Sequence, residues 1–257
     1  MPEQYAELLL TGERTLPGIP RENYWFARHM VAYELAAKMA AGKRVIDIGC
    51  GEGYGPALLA KSAREVLGVD IAPEVVAHAR LVYPAPNLSF EVMDVNRLEV
   101  PSGSFDFAVS LQVVEHLVDE SGYFSEIARA LASGGAALLT TPNRLTISPG
   151  CDKPINPFHL REYTPDEFAE ALAAHFETVE IQGLFHAGWL ALNDRVKLVD
   201  FIRFYEMGRA NPRFWTHRLL TPRVHTRDFR LSAADMERCL DIVAVCRGRA
   251  CDGSERP

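Results

Sequence analysis

Five cysteines are scattered through 257 residues with no C-x-x-C pair among them. That speaks against a structural zinc site and, the number being odd, against a disulfide framework; a reducing compartment fits. No stretch approaches the roughly twenty consecutive apolar residues that a membrane-spanning helix needs. The N-terminal MPEQYAELLLTGERT carries acids early and lacks the apolar run of a signal peptide. An excess of basic charge is missing too: Lys and Arg number 27 against 34 Asp and Glu, a formal charge of -7. A nucleic-acid partner would call for a basic surface, so none is expected. These absences predict a cytoplasmic protein without a membrane or nucleic-acid partner. What is present is 48% apolar content with 24% charged residues, enough to bury one substantial core and read as a single domain spanning residues 1–257.

The chain is organised around residues 44–55, RVIDIGCGEGYG. An apolar run with Asp47 inside it reads as a buried parallel strand that passes into a glycine cluster and then a helix. Gly49, Gly51 and Gly53 remove side chains where the backbone must turn sharply and where a ligand can approach the main chain. A dinucleotide fingerprint, G-x-G-x-x-G, would need a sixth glycine-like position, and counting from Gly49 that position is Tyr54. Asp47 suits a cationic amino-acid group and a sulfonium better than a pyrophosphate. The pattern D-x-G-x-G-x-G resembles motif I of the class I S-adenosylmethionine (SAM) methyltransferases.

The following strands extend that expectation. EVLGVD ends at Asp70, whose carboxylate can accept both ribose hydroxyls, and SFEVMDV ends at Asp94, which can accept from the adenine amino group while Val95 lends a backbone N–H. Tyr24, His29, Tyr54, Ile71 and Leu111 complete the expected cofactor set with Asp47, Gly49, Gly51, Asp70, Asp94 and Val95.

In chain order, residues 1–42 form an arm and a helix over 22–41 whose aromatics Tyr24, Trp25 and Phe26, with His29, could lie as a lid over the cofactor or pack on the sheet, the latter being preferred for Phe26. Strands at 44–48, 65–70, 88–93, 105–110 and 135–141 alternate with helices at 54–62, 73–83 and 113–132. That alternation implies right-handed crossovers and a doubly wound parallel sheet. Residues 143–163 form a long loop at the carboxyl end of strand five. Thr164, Pro165 and Glu167 then start a helix, FETVEIQGLF reads as strand six and LDIVAVCRG as strand seven. The expected fold is a Rossmann-type α/β domain of seven mostly parallel strands with helices on both faces. Residues 185–235 are an insertion between the last two strands, helical over 189–207, that would cover a substrate pocket or make a dimer contact.

Methyl transfer is an in-line displacement from an already activated donor, so the enzyme must align the nucleophile and handle its proton. LQVVEHL, residues 111–117, follows strand four, and a helix there would put Gln112, Glu115 and His116 on one face. His116 is the first candidate for general base, with Glu115 as its partner or a brace; His159 and His186 are placed by the topology around the same edge. His78, His175, His217 and His225 have no such placement and are left as surface residues. Asp152, Asn156, Arg161 and Glu162 suit a polyhydroxylated ligand, and Trp25 and Trp189 could stack on a sugar face. Gln112, Glu115, His116 and His159 could also hold a divalent ion that lowers a hydroxyl's pKa. That set is similar to the E-x-x-E-H motif of the magnesium-dependent ubiquinone-pathway and small-RNA 2′-O-methyltransferases, with Gln112 in place of the first acid.

LTGERTLPGIPRENYWFARH, VIDIGCGEGYG, LQVVEHL, TTPNRLTISPGCDKPINPFHLRE and QGLFHA together resemble the mycobacterial 1-O-methyltransferases of methylmannose polysaccharide biosynthesis. The resemblance runs from about Leu10 to Arg247 and is weakest in the insertion from Leu190 to Ala234. It implies SAM as cofactor, Mg2+ as a plausible activator, and as acceptor the anomeric hydroxyl of a short 3-O-methylated mannoside. A lipid, quinone or other small metabolite is the alternative acceptor class, and a binding protein without catalysis a third reading.

Overall fold

The computed structural model describes residues 15–196, 199 and 211–249. Its centre is a sheet of eight strands: β1 (Arg44–Ile48), β2 (Glu65–Asp70), β3 (Leu88–Val92), β4 (Phe105–Leu111), β5 (Leu131–Pro142), β6 (Phe176–His186), β7 (Phe229–Ser232) and β8 (Asp241–Arg249). Their order is β3-β2-β1-β4-β5-β8-β6-β7. β1 pairs in parallel with β2 and β4, as do β2 with β3 and β4 with β5, whereas β8 runs antiparallel between β5 and β6. The order reverses between β1 and β4, and the carboxyl ends of strands beside such a switch point open a crevice for a ligand.

Period-two alternation divides the strand residues between two cores. Ile46, Ile48, Val69 and Ala108 face Tyr123, Phe124, Ile127 and Phe168 from helices α4 (Glu120–Ala130) and α6 (Pro165–Ala173). Val45, Val66, Phe107 and Val109 face Tyr24, Ala32, Tyr33 and Ala36 of α1 (Asn23–Met39) and Leu59 of α2 (Tyr54–Leu59). Helices therefore cover both faces, which is why the central strands can be apolar throughout. α6 begins with the capping box foreseen at Thr164 and Glu167, and α3 (Pro73–Val82) with the proline at its first turn.

Several expectations need correction. The sheet has eight strands, because residues 229–232 pair with the end of β6 as an extra antiparallel edge; the segment expected as strand seven is β8. Helix 113–132 is broken: Gln112 takes a left-handed φ of 57°, Val114–His116 forms a single tight 3-10 turn, and α4 starts afresh where the Asp119 side chain accepts from Gly122 N–H at 2.9 Å. Strand five begins early, at Leu131, through an irregular register opposite Phe105 and Phe107, and α2 ends at Leu59, short of 62. The loop 143–163 also contains a short helix, α5 (Arg144–Ile147).

In the insertion, β6 continues to His186 and is followed by α7 (Gly188–Val196) and α8 (Pro212–Leu220); beyond Val196 the helix expected over 189–207 lies outside the described residues except for Val199, which is not helical, and the arm up to residue 14 lies outside them too. Among the described residues no helix is long and apolar enough to cross a membrane.

Candidate active site

β1 delivers Asp47 to the crevice. It is fully buried, and neither carboxylate oxygen makes a well-formed hydrogen bond. Burial pushes its pKa up to about 8, opposed by the nearby Tyr33 hydroxyl and reinforced by the charge of Asp70. A bare buried carboxylate is costly unless a cation or donor meets it, and the amino group of SAM is such a cation. The turn beside it runs through Gly49, Gly51 and Gly53 at φ 74°, 55° and 105°. A Cβ on Gly51 would point into open space, while one on Gly49 would come within 2.5 Å of Val113. The turn thus holds close main-chain packing on one side and room for a ligand on the other.

Asp70 ends β2 and is 8% exposed. Its two oxygens already accept from Gly51 N–H and Ala72 N–H, each at 3.0 Å, which aims the carboxylate and leaves lone pairs for ribose hydroxyls. Asp94 is exposed, with Oδ1 accepting from Asn96 N–H at 2.9 Å; Val95 beside it is buried and Ile71 is exposed. Tyr54, at the start of α2, meets His29 through Oη and Nδ1 at 3.2 Å and packs edge-on against Phe26 and Tyr33. Burial lowers the His29 pKa to about 4. Tyr24 is directed to His186, Oη to Nε2 at 2.9 Å, and to the ring of Phe229.

At the end of β4 the tight turn separates the residues expected on one helical face. The Gln112 amide donates to Thr140 Oγ1 at 3.1 Å and Asp241 Oδ1 at 3.3 Å. Glu115 turns inward, fully buried; Thr141 Oγ1 donates to its Oε2 at 3.1 Å and its Oε1 has no hydrogen-bond partner. Burial pushes its pKa up to about 8, partly offset by hydrogen bonds including that from Thr141. Its main-chain carbonyl accepts from Leu160 N–H at 2.7 Å and so fastens the long loop. His116 Nδ1 lies 2.9 Å from the Phe158 carbonyl, and its ring meets that of His159 edge-on at 5.1 Å. One ligand atom each from Glu115, His116 and His159 falls within 4.8 Å of the others. His159 is backed by Glu162 Oε1 at 2.7 Å from Nδ1, and by Asn156 at 2.8 Å from Nε2.

The expected metal set is therefore assembled in three of its four members. Gln112 is engaged elsewhere, because its left-handed backbone swings the side chain toward β5 and β8. His186 belongs to another cluster: its Nδ1 meets Asp194 Oδ1 at 2.7 Å and its Nε2 meets Tyr24. Of the histidines left as surface residues, one is buried and another is half-buried. His217 is 3% exposed, and the His78 side chain, 16% exposed, meets Glu52 at 3.1 Å.

The sequence reading missed Arg28 and Asp241. Arg28 Nε and Nη2 donate to Asp241 Oδ2 and Oδ1 at 2.6 and 2.5 Å, both side chains being almost wholly buried. Burial opposes the charge on Arg28, but Asp241 outweighs it and raises the pKa. The pair lines a narrow cavity with His29, Leu111, Gln112 and Thr140. The partners stand 213 residues apart, and the one available signal was an arginine and an aspartate inside otherwise apolar segments.

A methyltransferase domain model matches residues 46–139, the strands and turns that carry these acids. A probable S-adenosylmethionine-dependent methyltransferase of Mycolicibacterium smegmatis is 42% identical over 93% of this chain and 95% of its own length. A ubiquinone biosynthesis O-methyltransferase of Xanthomonas oryzae pv. oryzae is 36% identical over 40% of this chain and 45% of its own. The N-methyltransferase NodS of Bradyrhizobium japonicum, solved with S-adenosyl-L-homocysteine, shares the fold with a TM-score of 0.58 at 14% identity, covering 91% of this chain and 90% of that one. With relatedness over nearly its whole length and a glycine turn and acids that fit the cofactor, the chain belongs to the SAM-dependent methyltransferases.

Proposed function

We propose that the protein transfers the methyl group of SAM to a hydroxyl of a small sugar, with His116 taking the proton. The observation that carries this reading is the contact of His116 Nδ1 with the Phe158 carbonyl at 2.9 Å. A carbonyl only accepts, so Nδ1 holds the proton and, in the neutral ring, Nε2 holds the lone pair that a base needs. Asp47, Asp70 and Asp94 would hold the amino group, ribose and adenine of SAM. An anomeric hydroxyl is more acidic than its neighbours, which suits an imidazole base. The resemblance in the loop SPGCDKPINPFH supports, as acceptor, the anomeric 1-OH of a short 3-O-methylated mannoside in methylmannose polysaccharide biosynthesis.

Mg2+ is the ion the resemblance implies for the same residues, although one carboxylate and two imidazoles are a nitrogen-rich set for it and Asn156 already meets His159 Nε2 at 2.8 Å. Glu115 offers a buried oxygen without a partner, His116 and His159 lie within reach, and the Glu162 carboxylate behind His159 is the outer partner that ligating histidines commonly have. A bound ion would lower the pKa of the acceptor hydroxyl. As a ligand His116 could not also be the base, so the two roles exclude each other.

A second reading, an acceptor with an apolar body such as a quinone or lipid, draws support from Val118, Ile155, Phe158 and Leu160. All four are exposed on the turn and loop that carry the cluster, and the Xanthomonas relative is named for ubiquinone biosynthesis.

The test is methyl transfer from labelled SAM to free and 3-O-methylated mannobiosides and to a catechol, each with chelator and with Mg2+ restored. Labelled mannoside that resists reduction at its free end supports anomeric methylation, and activity that survives chelation keeps His116 as base. Transfer to the catechol alone favours the second reading.

A further inference from the structure

The glycine turn carries a residue for which the cofactor reading has no use. Glu52 lies between Gly51 and Gly53 and is 5% exposed. Its carboxylate is tied to α3: the Tyr83 hydroxyl lies 3.0 and 2.8 Å from Oε1 and Oε2, and His78 Nε2 lies 3.1 Å from Oε1. Burial raises the Glu52 pKa, with the Tyr83 and His78 hydrogen bonds opposing. A tight turn needs no buried carboxylate; the glycines already supply its conformation, and an acid placed there is costly unless bonded.

α3 is also the helix that leaves Asp70. Asp70 accepts from Gly51 N–H in the turn and from Ala72 N–H at the head of α3. The bonds close a circuit: Asp70 to Gly51, Glu52 to His78 and Tyr83, and α3 back through Ala72 to Asp70. Packing reinforces it, for a Cβ on Gly53 would come within 2.9 Å of the Ala79 Cβ and 3.0 Å of the Tyr83 ring.

We propose that Glu52 is a positioning residue for the cofactor: by tying the glycine turn to α3 through Tyr83 and His78, it fixes the separation between that turn and Asp70, and with it the affinity for SAM. The proposal rests on the assignment of SAM to this crevice. The clamp holds the turn in its bound shape before the ligand arrives, so less ordering remains to oppose binding.

Calorimetric titration of the full chain with SAM and with S-adenosyl-L-homocysteine, alongside thermal melts, tests it. Tyr83→Phe removes only the hydroxyl and keeps the ring against Gly53. His78→Ala removes a donor that His78→Gln restores. Arg80→Ala serves as the control, since Arg80 on the same helix binds the Phe90 carbonyl and Glu91 without touching Glu52. Tyr83→Phe and His78→Ala should each weaken both ligands by about fivefold or more, His78→Gln by under about twofold, and Arg80→Ala not at all whatever its melting temperature. Affinities unchanged in Tyr83→Phe and His78→Ala, or weakened equally in Arg80→Ala, would overturn the clamp while leaving SAM as ligand. A wild-type chain that binds neither ligand would overturn both.

Discussion

Asp47, which the proposed function assigns to the SAM amino group, is a carboxylate buried without a well-formed bond. Its folded pKa, pushed up to about 8, lies above the ordinary carboxylate value near 4. The folded apo protein therefore keeps a proton that the unfolded chain gives up, and this group's contribution to stability falls as pH rises between those two values. A SAM ammonium reverses the preference, so binding at neutral pH should expel a proton. SAM affinity should tighten as pH rises from 6 toward 8, by at most about tenfold per unit, and calorimetry in buffers of different ionisation enthalpy should report the release. Asp47→Asn should abolish both; a pH-independent affinity in the wild type contradicts the assignment.

A second residue-scale feature is the left-handed Gln112. A non-glycine there stores on the order of 1–3 kcal/mol, held by its bonds to Thr140 and Asp241. Gln112→Gly should leave the melting temperature unchanged or raised, yet slow methyl transfer if those bonds align the turn. A rate equal to wild type would remove Gln112 from any such role.

At the scale of elements, the short turn after β4 does what a helix could not. It sends Glu115 inward to Thr141 and leaves His116 to meet the loop at Phe158. Spacing in LQVVEHL could not disclose this, because a helical pattern and a tight turn followed by a new helix look alike over seven residues. The Asp119 cap that restarts the helix was visible but went unread. Strands β1, β2 and β3 were legible because each apolar run carries or is closely followed by an aspartate: Asp47 lies inside β1, Asp70 ends β2 and Asp94 stands just beyond β3. The extra edge β7 was not, since four residues within an insertion offer little periodicity. Gly49→Ala tests the packing of the turn: a Cβ within 2.5 Å of Val113 on a left-handed backbone should cost about 1–3 kcal/mol, read as a lower melting temperature with weakened SAM binding. A melting temperature equal to wild type would show that the turn yields.

At the scale of the whole molecule, the buried Arg28–Asp241 pair joins α1 to β8. No local pattern could pair residues so far apart in sequence, and this is the part of the site that reading the sequence missed. Such pairs add little net stability while intact, but losing one partner strands a buried charge at about 3–5 kcal/mol. For a domain of this size each kcal/mol moves the melting temperature by about 2–4 °C, so Arg28→Met should lower it by about 6–20 °C. Asp241→Asn paired with Arg28→Met should recover part of that loss; a double variant no better than the single would show that the charges do not answer each other.

Under the proposed function a methyl group from SAM meets its acceptor beside His116. The most direct measurement is the single-turnover rate of His116→Ala with whichever acceptor the wild type methylates, set beside its SAM dissociation constant. The rate should fall by about 10²–10⁴ with SAM affinity within about twofold of wild type. A rate equal to wild type would contradict it.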